Sequence, residues 1–225
     1  ASGDWWGIRV GQNGHATFAQ TRVRYAGRSN APTVESAGRL VVRDTELVDG
    51  AGDGVACTGG TCAIVGSRVG HMARRGVVGS PGARGLTLRV EGSAIVDNGG
   101  RAIAIEGTNP VTSLVVARNS GAGNAANGIW IAAPLAGVTE LLPNPNLPYV
   151  FETAVGAGHS VVLGAGCIVK IASQLEVNGE LSAIGTADSP VVFTSLNDDG
   201  FGGDTNGDGE DSSPARGDWV SIRVA

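Results

Sequence analysis

Leu86-Thr87-Leu88-Arg89-Val90, then a polar turn, then Ala102-Ile103-Ala104-Ile105: this stretch decides the fold, because its form recurs along the chain. Cys62-Ala63-Ile64-Val65 leads in the same way to Gly76-Val77-Val78, and Leu40-Val41-Val42 leads to Gly54-Val55-Ala56. Leu114-Val115-Val116 leads to Gly128-Ile129-Trp130-Ile131. The equivalent positions 54, 76, 102 and 128 are 22, 26 and 26 residues apart. A repeat of about 20–50 residues marks a solenoid or an array of stacked units. Each unit holds short apolar strands, no helical periodicity, and corners at Asp-Gly, Asn-Gly and Gly-Gly. A leucine-rich repeat needs a fixed leucine ladder, which is missing. The pattern predicts an all-β, single-stranded parallel β-helix in which each coil pairs with the next and inward side chains form a continuous column.

Composition agrees. Of 225 residues 37 are glycine, and aromatics are only 4%. An interior glycine costs a helix roughly 0.5–1 kcal/mol relative to alanine, so a helical domain is excluded. The hydrophobic share of 42% is too high for a disordered chain. No apolar run reaches the roughly 18–20 residues of a membrane-spanning helix.

A longer repetition overlies the short one. Gly3-Asp4-Trp5-Trp6-Gly7-Ile8-Arg9-Val10 returns as Gly217-Asp218-Trp219-Val220-Ser221-Ile222-Arg223-Val224, with six of eight positions identical. It suggests one period of a longer tandem array, with neighbouring repeats of the same chain as partners. Three prolines within Pro143-Asn144-Pro145-Asn146-Leu147-Pro148 resist helix and central strand alike. They divide the chain into coils over 1–142 and a continuing β-helical segment over 143–225.

The formal charge of −5 belongs to one place. Residues 196–218 carry seven acids (Asp198, Asp199, Asp204, Asp208, Glu210, Asp211, Asp218) against the single base Arg216. The remainder is nearly neutral, and with no basic stripe for a phosphate backbone, nucleic acid is excluded as a partner. Asp204-Thr205-Asn206-Gly207-Asp208-Gly209-Glu210 matches the first half of an EF-hand loop, with oxygen ligands at positions 1, 3 and 5 followed by glycine. Position 12 is Ala215 rather than glutamate, and no helices flank the loop. The expected cofactor is Ca2+, with Asp198, Asp199, Asp204, Asn206, Asp208, Glu210 and Asp218 as ligands. The bland alternative is a solvated acidic turn. The expected role is structural, folding a long insertion onto the solenoid; Asp4 is the counterpart of Asp218 for a preceding loop.

Cys57 and Cys62 flank a short flexible turn that can close a disulfide, as against two free thiols, and Cys167 lies in an apolar run. Asp44, Glu46, Asp49 and Asp53, with His71 and Arg74-Arg75, are the groups an enzyme would use, either as paired carboxylates for a glycoside or as arginines for a uronate. A solvated polar face accounts for them better, and the acid triplets of β-helical pectin hydrolases are missing. His15, His71 and His159 lack metal-ligand spacing. Trp5, Trp6 and Trp219 beside Gly-Asp suit anchoring of the acidic loop better than stacking on a sugar, and Trp130 suits packing on a coil face.

The run from Leu175 to Ser195 (Leu-Glu-Val-Asn-Gly-Glu-Leu-Ser-Ala-Ile-Gly-Thr-Ala-Asp-Ser-Pro-Val-Val-Phe-Thr-Ser) resembles a recurring segment of large bacterial extracellular β-helix proteins. So do Leu196-Asn197-Asp198-Asp199, Gly202-Gly203-Asp204-Thr205-Asn206-Gly207-Asp208-Gly209 and Gly217-Asp218-Trp219. The resemblance implies a right-handed coil, secretion and cell-surface display. It implies no single activity, because that scaffold serves lyases, hydrolases and adhesins alike. The expectation is a non-catalytic, calcium-stabilised module of a bacterial surface or matrix protein, a stalk, adhesin or carbohydrate-binding scaffold. The alternative is a polysaccharide lyase or glycoside hydrolase acting on acidic polysaccharide.

Overall fold

The structure, a computed structural model, describes residues 2–225. It is a parallel β-solenoid with almost no helix. One wall is a nine-stranded sheet: Ile8–Val10, Val34–Ser36, Val55–Cys57, Val77–Gly79, Arg101–Ile105, Ala126–Ile131, Tyr149–Phe151, Ile168–Ile171 and Val192–Ser195, in that order. Each strand is parallel to its neighbours and one coil away from them. In a strand successive side chains point to opposite faces, so every second position turns inward. Ile8, Val34, Val55, Val77, Ile103, Ile129, Tyr149, Val169 and Phe193 stack in register as one inward column. β-Branched residues dominate it because they fill a pleated surface well.

Strands His15–Ala19, Arg39–Arg43, Gly60–Val65, Leu86–Glu91 and Ser113–Ala117 make a second wall. Its inward pairs Leu40/Val42, Cys62/Ile64, Leu88/Val90 and Leu114/Val116 complete the core. A third wall is built of three-residue strands: Arg22–Arg24, Glu46–Val48, Arg68–Gly70, Ala94–Val96 and Ser120–Ala122. The corners on either side of it adopt left-handed backbone, at Gln20, Asp44, Gly66, Gly92 and Arg118 on one side and Tyr25, Asp49, His71, Asp97 and Gly123 on the other. The third wall is therefore bounded by two tight bends five residues apart in every coil.

Polar side chains ride these corners as ladders. The hydroxyl of Thr45 accepts from Thr21 N (3.2 Å), Ser67 from Thr45 N (3.2 Å) and Ser93 from Ser67 N (3.1 Å). Asn119 Oδ1 then accepts from Ser93 N (3.0 Å), and Asn144 Oδ1 from Asn119 N (2.9 Å). The ladder ends on Tyr149, whose hydroxyl donates to the backbone and accepts from Asn144 Nδ2 (2.9 Å). A second ladder runs through Asn98, which receives Met72 N (3.1 Å), and Asn124, which receives Asn98 N (3.2 Å). A buried backbone N–H at a bend has no strand partner, and an unsatisfied one costs about 1–3 kcal/mol, so each rung supplies the missing acceptor.

The Pro143–Pro148 segment is a corner. Pro143 O accepts Arg118 N (3.1 Å), and Asn144 is the buried rung just described. The nine-stranded sheet continues across it, but the other walls change. Val138–Leu141, Ser160–Leu163 and Glu180–Ala183 form their own sheet, and Gln174–Val177 pairs with Ser221–Val224 in another. The two copies of the octapeptide consequently sit on different walls: Ile8–Val10 belongs to the nine-stranded sheet and Ser221–Val224 pairs with Gln174–Val177. Cys57 and Cys62 are joined as a disulfide across a corner inside the core. No helix among the described residues is long and apolar enough to cross a membrane.

Candidate metal centre

The acidic segment leaves strand Val192–Ser195 and returns at strand Ser221–Val224. One coil earlier the same passage, from Ile171 to Gln174, takes only Ala172 and Ser173. Val220 N donates to Ser173 O (2.7 Å), which brings the chain back to the place where the shorter coil turned. Residues 196–219 are thus an insertion between two walls, and they fold back over the outer face of the nine-stranded sheet.

That covering shows in the outward column of the sheet, which reads Arg9, Glu35, Ala56, Val78, Ala104, Trp130, Val150, Lys170 and Thr194. Arg9 is exposed, whereas Ala104, Val150 and Lys170 have no accessible surface at all. The insertion reaches Lys170, whose ammonium meets the Gly203 carbonyl. Thr205 is fully buried, and a β-carbon at Gly128 would press on its methyl group at 2.9 Å. Gly207 has φ +79° and passes so close to Ala125 that a β-carbon there would overlap the Ala125 carbonyl oxygen. Only glycine satisfies both the backbone angle and the approach.

Within the insertion, Asp199, Asp204 and Asp208 bring carboxylate oxygens within 4.8 Å of one another, the only such His/Cys/Asp/Glu grouping among the described residues. Local hydrogen bonds shape it. Asp204 Oδ1 accepts Gly207 N (2.7 Å) and Oδ2 accepts Gly209 N (2.9 Å), wrapping the loop around that carboxylate. Asn206 Nδ2 donates to Asp208 Oδ2 (2.8 Å) and to Ser212 Oγ (3.1 Å). Three buried oxygens are left with no hydrogen-bond partner: Asp199 Oδ1, Asn206 Oδ1 and Asp208 Oδ1. Burial pushes the Asp199 carboxyl above its ordinary range; the Lys170 charge opposes this, and the smaller like charges of Asp204, Asp208 and Asp198 add to it.

Orphaned oxygens beside clustered carboxylates fit a hard cation. Calcium takes six to eight oxygen ligands, from carboxylates, amide carbonyls and water, in flexible geometry. Asp199, Asp204 and Asp208 would hold it, with the Asn206 carbonyl as a neutral fourth donor. The other expected ligands are placed elsewhere. Asp218 Oδ2 accepts Ser195 Oγ–H (2.6 Å) and Ala215 N–H (2.9 Å), pinning the base of the insertion. Those bonds, the serine first, hold its carboxyl below the ordinary range. Asp198 pairs with Thr194 Oγ1 and accepts Gly200 N (3.1 Å). Glu210 and Asp211 face solvent.

The remaining groups singled out in the sequence are dispersed. Asp53 is buried and both its oxygens are held by Arg75 (3.0 and 2.9 Å), while Glu106 takes the other side of that guanidinium. On the third wall Arg22 pairs with Glu46 and Arg24 with Asp49 (2.8 Å). An open groove of about 610 Å³ runs there, lined by Arg22, Asp44, Glu46 and Arg68 among others. His71 Nε2 lies 3.9 Å from Asp97, and His159 Nδ1 accepts Gly137 N (3.0 Å). Trp5 donates to Arg24 O (2.9 Å), Trp6 is exposed, and Trp219 packs on the core. Trp130 lies under Arg101, 4.1 Å from ring centroid to guanidinium, and Arg101 also forks onto Glu152 (2.8 and 2.7 Å). Cys167 is buried, and burial pushes its thiol up to about 11.

Sequence reasoning missed Lys170. Its ammonium donates to Gly203 O (2.6 Å) and lies 3.8 Å from Asp199 Oδ1. The signal that could have found it was its uniqueness: it is the one lysine among 16 basic residues. No protein-family model, curated protein or solved structure matches the chain, so the geometry of the insertion carries the functional reading.

Proposed function

We propose that this chain is a non-catalytic, calcium-stabilised β-helical module of a secreted bacterial surface or matrix protein, acting as a stalk, adhesin or carbohydrate-binding scaffold. The observation that carries the reading is the trio of buried oxygens without a hydrogen-bond partner on Asp199, Asn206 and Asp208, beside three clustered carboxylates. Bound Ca2+ would supply the positive charge that lets three carboxylates share one partly buried neighbourhood. The chain's own residues do the rest: Asp204 wraps the loop, Asp218 and Ser195 fasten its base, and Gly207 lets it lie against the coil. A disulfide between Cys57 and Cys62 suits an oxidising, extracellular setting.

Calcium titration by calorimetry tests this, alongside melting with calcium or with a chelator. We expect one ion per chain, a Tm that rises with calcium, and loss of both in Asp208→Ala. Absence of binding at about 10 mM Ca2+, beyond the weak end of extracellular modules, refutes the reading.

The groove on the third wall supports a second reading, contact with an acidic polysaccharide through Arg22 and Arg68. Incubation with a panel of acidic and neutral polysaccharides separates the outcomes. Retention supports a binding module; new reducing ends or unsaturated products would replace it with a lyase or hydrolase.

A further inference from the structure

Lys170 stands in an outward-facing column of a β-sheet, where a lysine ordinarily reaches into water. Here it has no accessible surface, because the insertion closes over it. Its ammonium has been taken out of solvent and given one carbonyl, Gly203 O, and the flank of a carboxylate cluster. A buried ammonium is costly unless paired. The neighbours that offset this are the insertion's own acids: Asp199 at 3.8 Å, with Asp198 and Asp204 adding to the favourable field. Every cation elsewhere in the chain is arginine or histidine. Arginine is a broad planar fork, whereas lysine delivers a compact point charge on a thin stem.

We infer that Lys170 is a resident counter-ion of the acidic insertion, which latches the loop to the sheet without metal and competes with a divalent ion for the same carboxylates. The second half of this statement rests on the calcium reading above; the first half does not. The latch joins two regions of the chain that share no strand pairing at this point: the sheet at Lys170 and the loop at Gly203 and Asp199. Its charge also sets the field that an arriving cation meets, since a buried charge is little screened by salt. Lys170 is accordingly a positioning residue for the loop and a limit on its calcium affinity.

A single lysine makes the latch directly readable. Lysine acylation followed by mass spectrometry reports on Lys170 alone. In wild type under chelator, Lys170 should be acylated at least tenfold more slowly than after denaturation. Equal labelling in chelator and in denaturant overturns the latch. In Lys170→Met the stem is kept and the charge removed. Under chelator its insertion should be cut at least tenfold faster by a non-specific protease than that of wild type. With calcium, Lys170→Met should bind roughly tenfold tighter or more, because one buried positive charge near the ion is gone. Unchanged or weaker calcium affinity in a variant with an intact solenoid, judged by far-ultraviolet dichroism, overturns the competition. If wild type binds no calcium at all, the calcium reading and the competition both fail, while the chelator labelling and proteolysis still decide the latch.

Discussion

Replacing Gly207 by alanine separates docking of the insertion from the ordinary cost of placing a side chain on left-handed backbone. At φ +79° an alanine costs roughly 1–2 kcal/mol wherever it stands. At Gly207 the new β-carbon would also overlap the Ala125 carbonyl oxygen, which belongs to the coil and cannot rotate away. The loop has to lift, carrying Thr205 out of its buried place and drawing Gly203 off Lys170. Gly209 is the control: its φ is +71°, equally left-handed, but nothing lies within 4 Å of where a β-carbon would go. Calcium at about a hundredfold excess over its Kd stabilises a folded state by roughly 2.7 kcal/mol. For a chain of this size that is a Tm rise of about 5–10 °C. Gly209→Ala should keep that calcium-dependent rise and lose only the backbone cost. Gly207→Ala should lose most of the rise and expose residues 198–217 to proteolysis. Equal calcium responses in the two variants would refute the docking argument.

Asn119→Ala removes a rung whose side chain receives Ser93 N and donates to Val90 O and Asn144 Oδ1, and should destabilise by roughly 2–5 kcal/mol, read by denaturant melts and by faster exchange of the Ser93 amide. Replacing Cys57 and Cys62 together by alanine opens a loop of only five residues' separation, so the loss should be about 2 kcal/mol with the fold retained, checked by melting and by dichroism. Asp218 is held below its ordinary carboxyl range by Ser195 and Ala215, so its contribution is present above the unfolded value and fades as pH falls through the folded one. Proteolysis of the insertion should therefore differ between wild type and Asp218→Asn near neutral pH, and the difference should vanish once the pH lies below the folded value.

The coil repeat was legible because burial imposes it. The sequence-equivalent positions 54, 76, 102 and 128 each precede by one residue the stacked partners Val55, Val77, Ile103 and Ile129. The third wall escaped notice. Its strands, such as Glu46–Val48 and Arg68–Gly70, are three residues long and bury two consecutive positions, so no alternation stands out. The corner ladders left a trace in the same spacing, Thr45, Ser67, Ser93 and Asn119, but their chemistry changes from hydroxyl to amide along the run. At the acidic insertion, the pattern of Asp204, Asn206 and Asp208 was readable because its spacing is local. That Asp199 joins them while Asp198 and Asp218 turn to Thr194 and Ser195 depends on how the loop lies across the sheet. The pairing of Lys170 was illegible for the same reason: its partners Asp199 and Gly203 come from another segment of the chain, laid over it from outside.

The corner ladders and the sheet hydrogen bonds all run from one coil to the next, along the axis of the solenoid. A pull along that axis therefore loads each bond along its own length, and the coils separate in succession instead of sliding together. A coil such as Val77 to Ile103, which no disulfide crosses, holds 26 residues. Once detached it yields roughly 85–95 Å of extended chain in place of about 4.8 Å of stacked height. Such a rod is stiff until the first coil yields and then lengthens in coil-sized steps, dissipating work at each one.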